Sequence, residues 1–208
     1  MHATQEVSDA GLAGGRRVAI RPIDRSDLEL ERRFVTGLSL RTRYLRLLSG
    51  RNLLPGELER WTDIDRTREI ALIAVTGEGD EEQQVGVARC ARDDDAPEAW
   101  DFGIVVADAW QGIGLGEALL TRLIEHAEAA GIAALSSVTL AENAGMLALA
   151  RRLGFTVRRE PGDATLMRVE RRLGAAFQPP ARPSRSIAPI AAAALHPLRP
   201  QSAGRSAA

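Results

Sequence analysis

A hydrophobic strand that runs through closely spaced glycines straight into a helix leaves a chain few ways to fold. Val105-Val106-Ala107-Asp108-Ala109-Trp110-Gln111-Gly112-Ile113-Gly114-Leu115-Gly116 has that order. The first backbone N–H groups of a helix have no internal acceptor. They point outward together, with the positive end of the helix dipole behind them. A phosphate or diphosphate is the natural guest of such a helix mouth, and glycine lets the backbone come close to it. The spacing excludes the dinucleotide pattern G-x-G-x-x-G, because position 117 is glutamate. The strand also follows a run of other strands rather than opening a βαβ unit.

The flanking periodicities place this turn in a mixed α/β domain. Residues 17–23 fit a first strand. Ser26 or Asp27 can cap a helix with Leu30, Phe34, Val35 and Leu38 on one side. A second helix runs through Tyr44 and Leu48, and a third starts near Pro55 with Leu58 and Trp61 on one face. Residues 69–76, 84–92 and 99–106 alternate as strands across turn-rich acidic gaps, which predicts an antiparallel meander. Residues 116–130 read as a helix with Leu119, Leu120, Leu123, Ile124 and Ala127 on its buried side, ended by Gly131. A strand at 134–139 follows. Asn143 then caps a helix with Met146, Leu149, Ala150 and Leu153 in register, and strands at 156–160 and 165–170 close the domain. The sum is a mixed, mostly antiparallel sheet flanked by helices. Residues 1–15 read as a flexible lead, 16–173 as the domain, and 174–208, rich in Pro, Ala and Arg, as a disordered tail.

Composition removes several chemistries. All 27 basic side chains are arginine, so a Schiff base and a GxxxxGK phosphate loop, which both need lysine, are excluded. Cys90 is the single cysteine, and His2, His126 and His196 are scattered, so no metal site is expected. The net charge of −1 hides an asymmetry: residues 171–208 hold six arginines and no acid, and the remainder is acidic. The basic tail is read as solvated, with no specific nucleic-acid partner. Residues 1–10 lack an apolar signal core and no run of twenty apolar residues occurs, so a cytoplasmic protein with no membrane partner is expected.

The glycine loop after a Val-Val strand, Asn143 thirty-one positions beyond Gly112, and Leu153-Gly154-Phe155 together resemble the GNAT superfamily of acyl-CoA-dependent N-acyltransferases. Ile20-Arg21-Pro22-Ile23, Arg43-Tyr44-Leu45-Arg46, Asp65-Arg66-Thr67-Arg68-Glu69-Ile70-Ala71-Leu72 and Glu142-Asn143-Ala144-Gly145-Met146-Leu147 look more closely like the acetyltransferase domain of Pat-type bacterial protein lysine acetyltransferases. The resemblance covers about residues 16–172. It implies the GNAT fold, with acetyl-CoA as co-substrate in a cleft where two parallel strands splay, and a lysine-bearing protein as acceptor.

Within that likeness, the diphosphate would lie on Gln111, Gly112, Ile113, Gly114, Leu115 and Gly116. The pantetheine arm would follow the strand edge at Val105 and Val106, where an N–H would bond the thioester carbonyl. Asn143 would touch the coenzyme arm, cap its helix, or do both. Relatives carry a glutamate base on the strand before the loop. That position is Asp101 here, one methylene shorter and on the strand face of Gly103 and Val105. A tyrosine common in GNAT enzymes is replaced by Ala150, as in many Pat-type relatives, which leaves the general acid unnamed. Arg43, Arg46 and Arg68 could bind coenzyme phosphates or pair with acids, and Trp61, Trp100 and Trp110 are read as packing residues. The acidic stretches at 78–82 and 93–95 are read as solvated turns. Two other readings keep the fold: transfer to a small-molecule amine, and a non-catalytic acetyl-CoA-sensing module.

Overall fold

A computed structural model describes residues 8–47, 56–92 and 99–174. The chain order is β1 (Ser8–Gly11), β2 (Arg17–Pro22), α1 (Leu28–Gly37), α2 (Leu40–Leu47), α3 (Glu57–Thr62), β3 (Glu69–Thr76), β4 (Gln83–Arg92) and β5 (Trp100–Val106). It continues with α4 (Leu115–Ala129), β6 (Ala134–Leu140), α5 (Ala144–Arg152), β7 (Thr156–Glu160) and β8 (Asp163–Arg172). The eight strands form one sheet in the order β1-β2-β3-β4-β5-β6-β8-β7. Every neighbouring pair is antiparallel except β5 and β6. These two are joined by the α4 crossover, which parallel neighbours require. They pair only at Trp100 with Leu135 and Asp101 with Ser136, and then diverge. The expected mixed α/β sheet with a splay is the fold observed.

Alternation in the strands sends apolar side chains to both faces. On one face, Leu72, Ala88, Cys90 and Phe102 meet Leu119, Leu120, Leu123 and Ala127 of α4 and Leu149 and Ala150 of α5. On the other, Ala71, Ile73, Val75, Val87 and Val105 meet Phe34 and Val35 of α1 and Leu58 and Trp61 of α3. Gly86 lets α4 approach β4: a Cβ there would stand 2.7 Å from Leu119 Cδ1. Leu119 is fully buried. Leu119→Ala is therefore expected to cost about 2–5 kcal/mol, read as a fall in Tm of roughly 5–15 °C by calorimetry.

Two expectations change. The latter half of the lead is part of the sheet: Ser8–Gly11 pairs with β2 from Ser8 opposite Ile20 to Gly11 opposite Arg17. Backbone pairing of that kind needs no side-chain pattern, so it left no mark in the sequence. Asp27 holds the N-cap position of α1, one of the two residues expected there, but its side chain makes no capping bond to that helix, and the capping bonds lie on the short turn just upstream. Asp24 accepts from Ser26 N–H at 3.0 Å, while Asp27 accepts from Asp24 N–H at 2.7 Å and is held by both terminal nitrogens of Arg21 at 2.8 Å. Residues 1–7, the acidic 93–95 and the tail from 175 lie outside the described residues.

Candidate active site

Where β5 and β6 part, a cavity of about 460 Å³ opens. Its walls come from six elements: Thr42 and Leu45 of α2, Phe102 to Val106 of β5, the glycine loop, Gly116 and Glu117 of α4, Ser137 to Thr139 of β6, and α5 with its cap Asn143. The bond from Ala107 N–H to Val85 carbonyl at 2.9 Å continues the β4–β5 register of Gly86 with Val106. Ladder geometry then turns the peptide groups of Gly103 and Val105 toward β4, and those of Ile104 and Val106 toward the splay. The sequence reading named Val105 and Val106 for the open edge. The register gives that edge to Ile104 and Val106, and Val105 contributes its place in the wall. Ile104 was missed because nothing in an apolar strand tells which peptides its neighbours will use.

At the loop, Gly112 has φ 74° and Gly114 φ 98°, a left-handed region that other residues enter only under strain. Gly114 is the residue before α4, and no side chain caps it. The first bond inside the helix is Ala118 N–H to Gly114 carbonyl at 3.0 Å. The N–H groups of Leu115, Gly116 and Glu117 therefore have no acceptor in the helix. A Cβ on Gly112 or Gly114 would meet nothing within 4 Å, so hydrogen alone keeps that space open. Gly112, Gly114 and Gly116 line the cavity. Leu115 sends its side chain into the core, fully buried, and offers the loop only its backbone. Ile113 does not line the cavity, and its carbonyl is taken by Ala13 N–H at 3.1 Å. Gln111 lines it and donates from Nε2 to Val106 carbonyl at 3.0 Å and to Thr42 Oγ1 at 3.3 Å.

Asn143 lines the cavity and also caps α5. Its Oδ1 accepts from Met146 N–H at 3.2 Å and its Nδ2 donates to Thr139 Oγ1 at 3.1 Å. One amide hydrogen is left over for a guest. Asp101 is buried, 8% exposed, at the last paired position before the splay. It does not line the cavity, but Gly103, next along on the same strand face, does and presents no side chain.

Several residues at the site carry no signal in the sequence. Arg152 and Glu117 both line the cavity and pair at 3.2 Å, which neutralises a carboxylate in the first turn of α4. Asp108, just before the glycines, accepts from Ser39 N–H at 3.0 Å, Ser39 Oγ at 2.7 Å and Thr42 Oγ1 at 2.8 Å. The Ser39 backbone bond holds the Asp108 carboxyl below the usual range. Desolvation opposes that shift, and the Ser39 and Thr42 hydroxyls reinforce it. A depressed folded value means stability that is present above the ordinary carboxylate pKa of ~3.9 and is lost as pH falls through the folded value. Asp108→Asn is thus expected to lower stability at pH 7 and to leave it near wild type at about pH 2, read in urea melts. Arg43 and Arg68 do not line the cavity. Burial pushes the Cys90 thiol up to about 12, and no metal-binding group of His, Cys, Asp and Glu occurs among the described residues.

Comparison with known proteins agrees with this geometry. Residues 41–155 match the model of the acetyltransferase (GNAT) family. Acetyltransferase PA5475 of Pseudomonas aeruginosa is 36% identical over 155 residues, covering 74% of this chain and 83% of that protein. The GNAT domain of Streptomyces lividans PAT superposes with a TM-score of 0.72 at 24% identity, over 80% of this chain and 97% of that one. A putative acetyltransferase from Salmonella typhimurium, solved with its cofactor acetyl-CoA, superposes at 0.59 and 22% identity, over 79% and 99%. The family match spans the cavity, the glycine loop and α5, and the chain belongs to the GNAT family of acetyltransferases.

Proposed function

We propose that this chain transfers acetyl from acetyl-CoA directly to lysine ε-amino groups of cytoplasmic proteins, with Asp101 as general base. The observation that carries the donor half is the cavity itself. At one end stand three helix N–H groups without helical acceptors and two open glycines. Along its side runs a strand edge whose peptides face no partner strand. Those features fit a diphosphate followed by an amide-bearing arm. Acetyl-CoA supplies the acetyl group as an activated thioester. Leu115, Gly116 and Glu117 amides hold the diphosphate, with the glycines giving it room. Ile104 and Val106 pair with the arm, and Asn143 contributes its spare amide hydrogen.

The acceptor is a cation in water. A lysine amine has pKa ~10.4 and is unreactive until its proton leaves. Asp101 takes that proton, directly or through one water across Gly103, and passes it to solvent. A covalent acyl-enzyme on cysteine is disfavoured, because the Cys90 thiol is fully buried and stays protonated at neutral pH. The departing thiolate takes its proton from solvent, since Ala150, at the position of the usual tyrosine, is buried in the core.

Support for a protein acceptor comes from the Pat-like segments of the sequence and the likeness to the GNAT domain of Streptomyces lividans PAT. A fold likeness at 19% identity and TM-score 0.60 also exists to a phosphinothricin acetyltransferase from Sinorhizobium meliloti in complex with acetyl-CoA, which makes a small amine the second reading. The test is acetyl transfer to a cytosolic protein extract and to a panel of small amines in parallel, with acetylated lysines mapped by mass spectrometry. Site-selective acetylation of protein lysines is expected. Faster transfer to one small amine, with no selective protein site, overturns the acceptor assignment.

A further inference from the structure

We propose that Ala13 and Arg16, at the tip of the β1–β2 hairpin, are positioning residues for the coenzyme: they hold the glycine loop from outside, in the arrangement that turns its amides into the cavity. The inference deepens the donor half of the reading above and rests on it. The tip reaches the loop through three contacts. Ala13 N–H donates to the Ile113 carbonyl at 3.1 Å. Arg16 Nη1 donates to the Ala109 carbonyl at 2.9 Å, and its guanidinium carbon lies 4.8 Å from the centre of the Trp110 ring, within cation–π range. The tip itself is fixed. Leu12 N–H donates to the Arg16 carbonyl at 2.8 Å, which continues the pairing of Gly11 with Arg17. Ala10, Leu12 and Trp110, each partly buried, pack against one and the same core cluster.

The bond from Ala13 decides which way one peptide of the loop faces. The Ile113–Gly114 peptide is trans, so its carbonyl and its N–H point in opposite directions. Ala13 and Ile113 lie outside the cavity lining, and Gly114 is part of it. With the carbonyl held by Ala13, the Gly114 N–H turns toward the cavity, and it has no acceptor among the described residues. It joins the N–H groups of Leu115, Gly116 and Glu117. Glycine populates positive and negative φ about equally. Without the brace, this peptide can therefore rotate by turning ψ of Ile113 and φ of Gly114 together. The rotated peptide aims its carbonyl oxygen at the guest, and that dipole repels a diphosphate. The hairpin tip removes the alternative before the guest arrives, so binding is relieved of the cost of ordering the loop. Arg16 holds the Ala109–Trp110 end of the same loop, where the chain leaves β5 for the glycines.

The experiment compares the full-length wild type with Ala13→Pro, Ala13→Gly and Arg16→Gln. Ala13→Pro deletes the N–H at a place that accepts the ring. Ala13 opens a 3₁₀ turn, and Leu12 before it is extended at φ −112° and ψ 167°, as a residue before proline must be. Ala13→Gly keeps the N–H and tests rescue. Calorimetry measures uptake of coenzyme A and of pantetheine, which lacks the diphosphate. Thermal melts are run on the same samples, and rates with a lysine peptide give kcat and the KM for acetyl-CoA. Coenzyme A affinity is expected to fall about tenfold in Ala13→Pro, the weight of roughly one bond to a charged group, and about threefold in Arg16→Gln. Pantetheine affinity is expected to stay at the wild-type value in both, and Ala13→Gly to follow the wild type. The KM for acetyl-CoA rises by the same factors while kcat stays within about twofold, the pattern of lost uniform binding. A merely structural role moves Tm without separating the two ligands. Coenzyme A affinity retained in Ala13→Pro overturns the proposal, and so does an equal loss for coenzyme A and pantetheine. Should Ala13→Pro not fold, Arg16→Gln, a change at an exposed side chain, carries the same test. Failure of the donor reading looks different: the wild type itself then takes up no coenzyme A.

Discussion

Asp101→Ala is expected to lower turnover by about 10²–10⁴, the range that a positioned base contributes, while coenzyme A uptake persists. The size follows from the proposed lysine acceptor. At neutral pH an amine of pKa ~10.4 is almost all cation, so a site without its base waits for the rare free form. The residual rate of the variant should therefore climb about tenfold per pH unit below that value, whereas the wild type levels off once its base is ionised. Asp101→Glu tests reach. It restores the side-chain length of the Pat-type relatives, at a position that is 8% exposed and paired in register with Ser136. Steady-state rates across pH 6–10 separate the three proteins, and turnover in Asp101→Ala equal to wild type removes Asp101 from the chemistry.

Gly114→Val is expected to reduce coenzyme A affinity by at least about 100-fold, from the loss of two or more bonds to a charged group at roughly 1.5–3 kcal/mol each. Two features of the glycine make this a binding effect more than a folding one. Its φ of 98° and ψ of −8° lie where a β-branched residue is strained by about 1–3 kcal/mol, which a domain with this core tolerates. Its missing Cβ faces open space within the cavity wall, so a valine side chain occupies the volume of the guest. A Tm lowered by a few degrees with uptake lost is the expected pair of results. Calorimetry and thermal melts on the same sample check it, and uptake that survives intact contradicts the role given to the loop.

The strand–glycine–helix order was readable because each part has a local cause. β5 ends in the β-formers Ile104, Val105 and Val106, Gly112 and Gly114 are needed where φ is positive, and α4 repeats Leu119, Leu120, Leu123, Ile124 and Ala127 at helical spacing. Asn143 was readable for the same reason, since a cap acts on residues three positions away. What escaped acts over long separations or through the backbone. The edge strand Ser8–Gly11 is held by backbone hydrogen bonds to β2 that hardly depend on sequence. The ties of Asp108 to Ser39 and of Arg152 to Glu117 join residues 35 or more positions apart, and no spacing rule connects them. The choice of Ile104 over Val105 for the open edge depends on the parity of the β4 ladder, which is fixed only when the strands are in register.

The central claim is that amides at the start of α4 hold a diphosphate and so place a thioester along β5. Calorimetric titration of the full chain with coenzyme A, and in parallel with pantetheine, which lacks the diphosphate and nucleotide, tests it most directly. One-to-one uptake of coenzyme A, at least about 100-fold tighter than that of pantetheine, is the expected result. Equal affinity for the two, or no uptake of either, contradicts it.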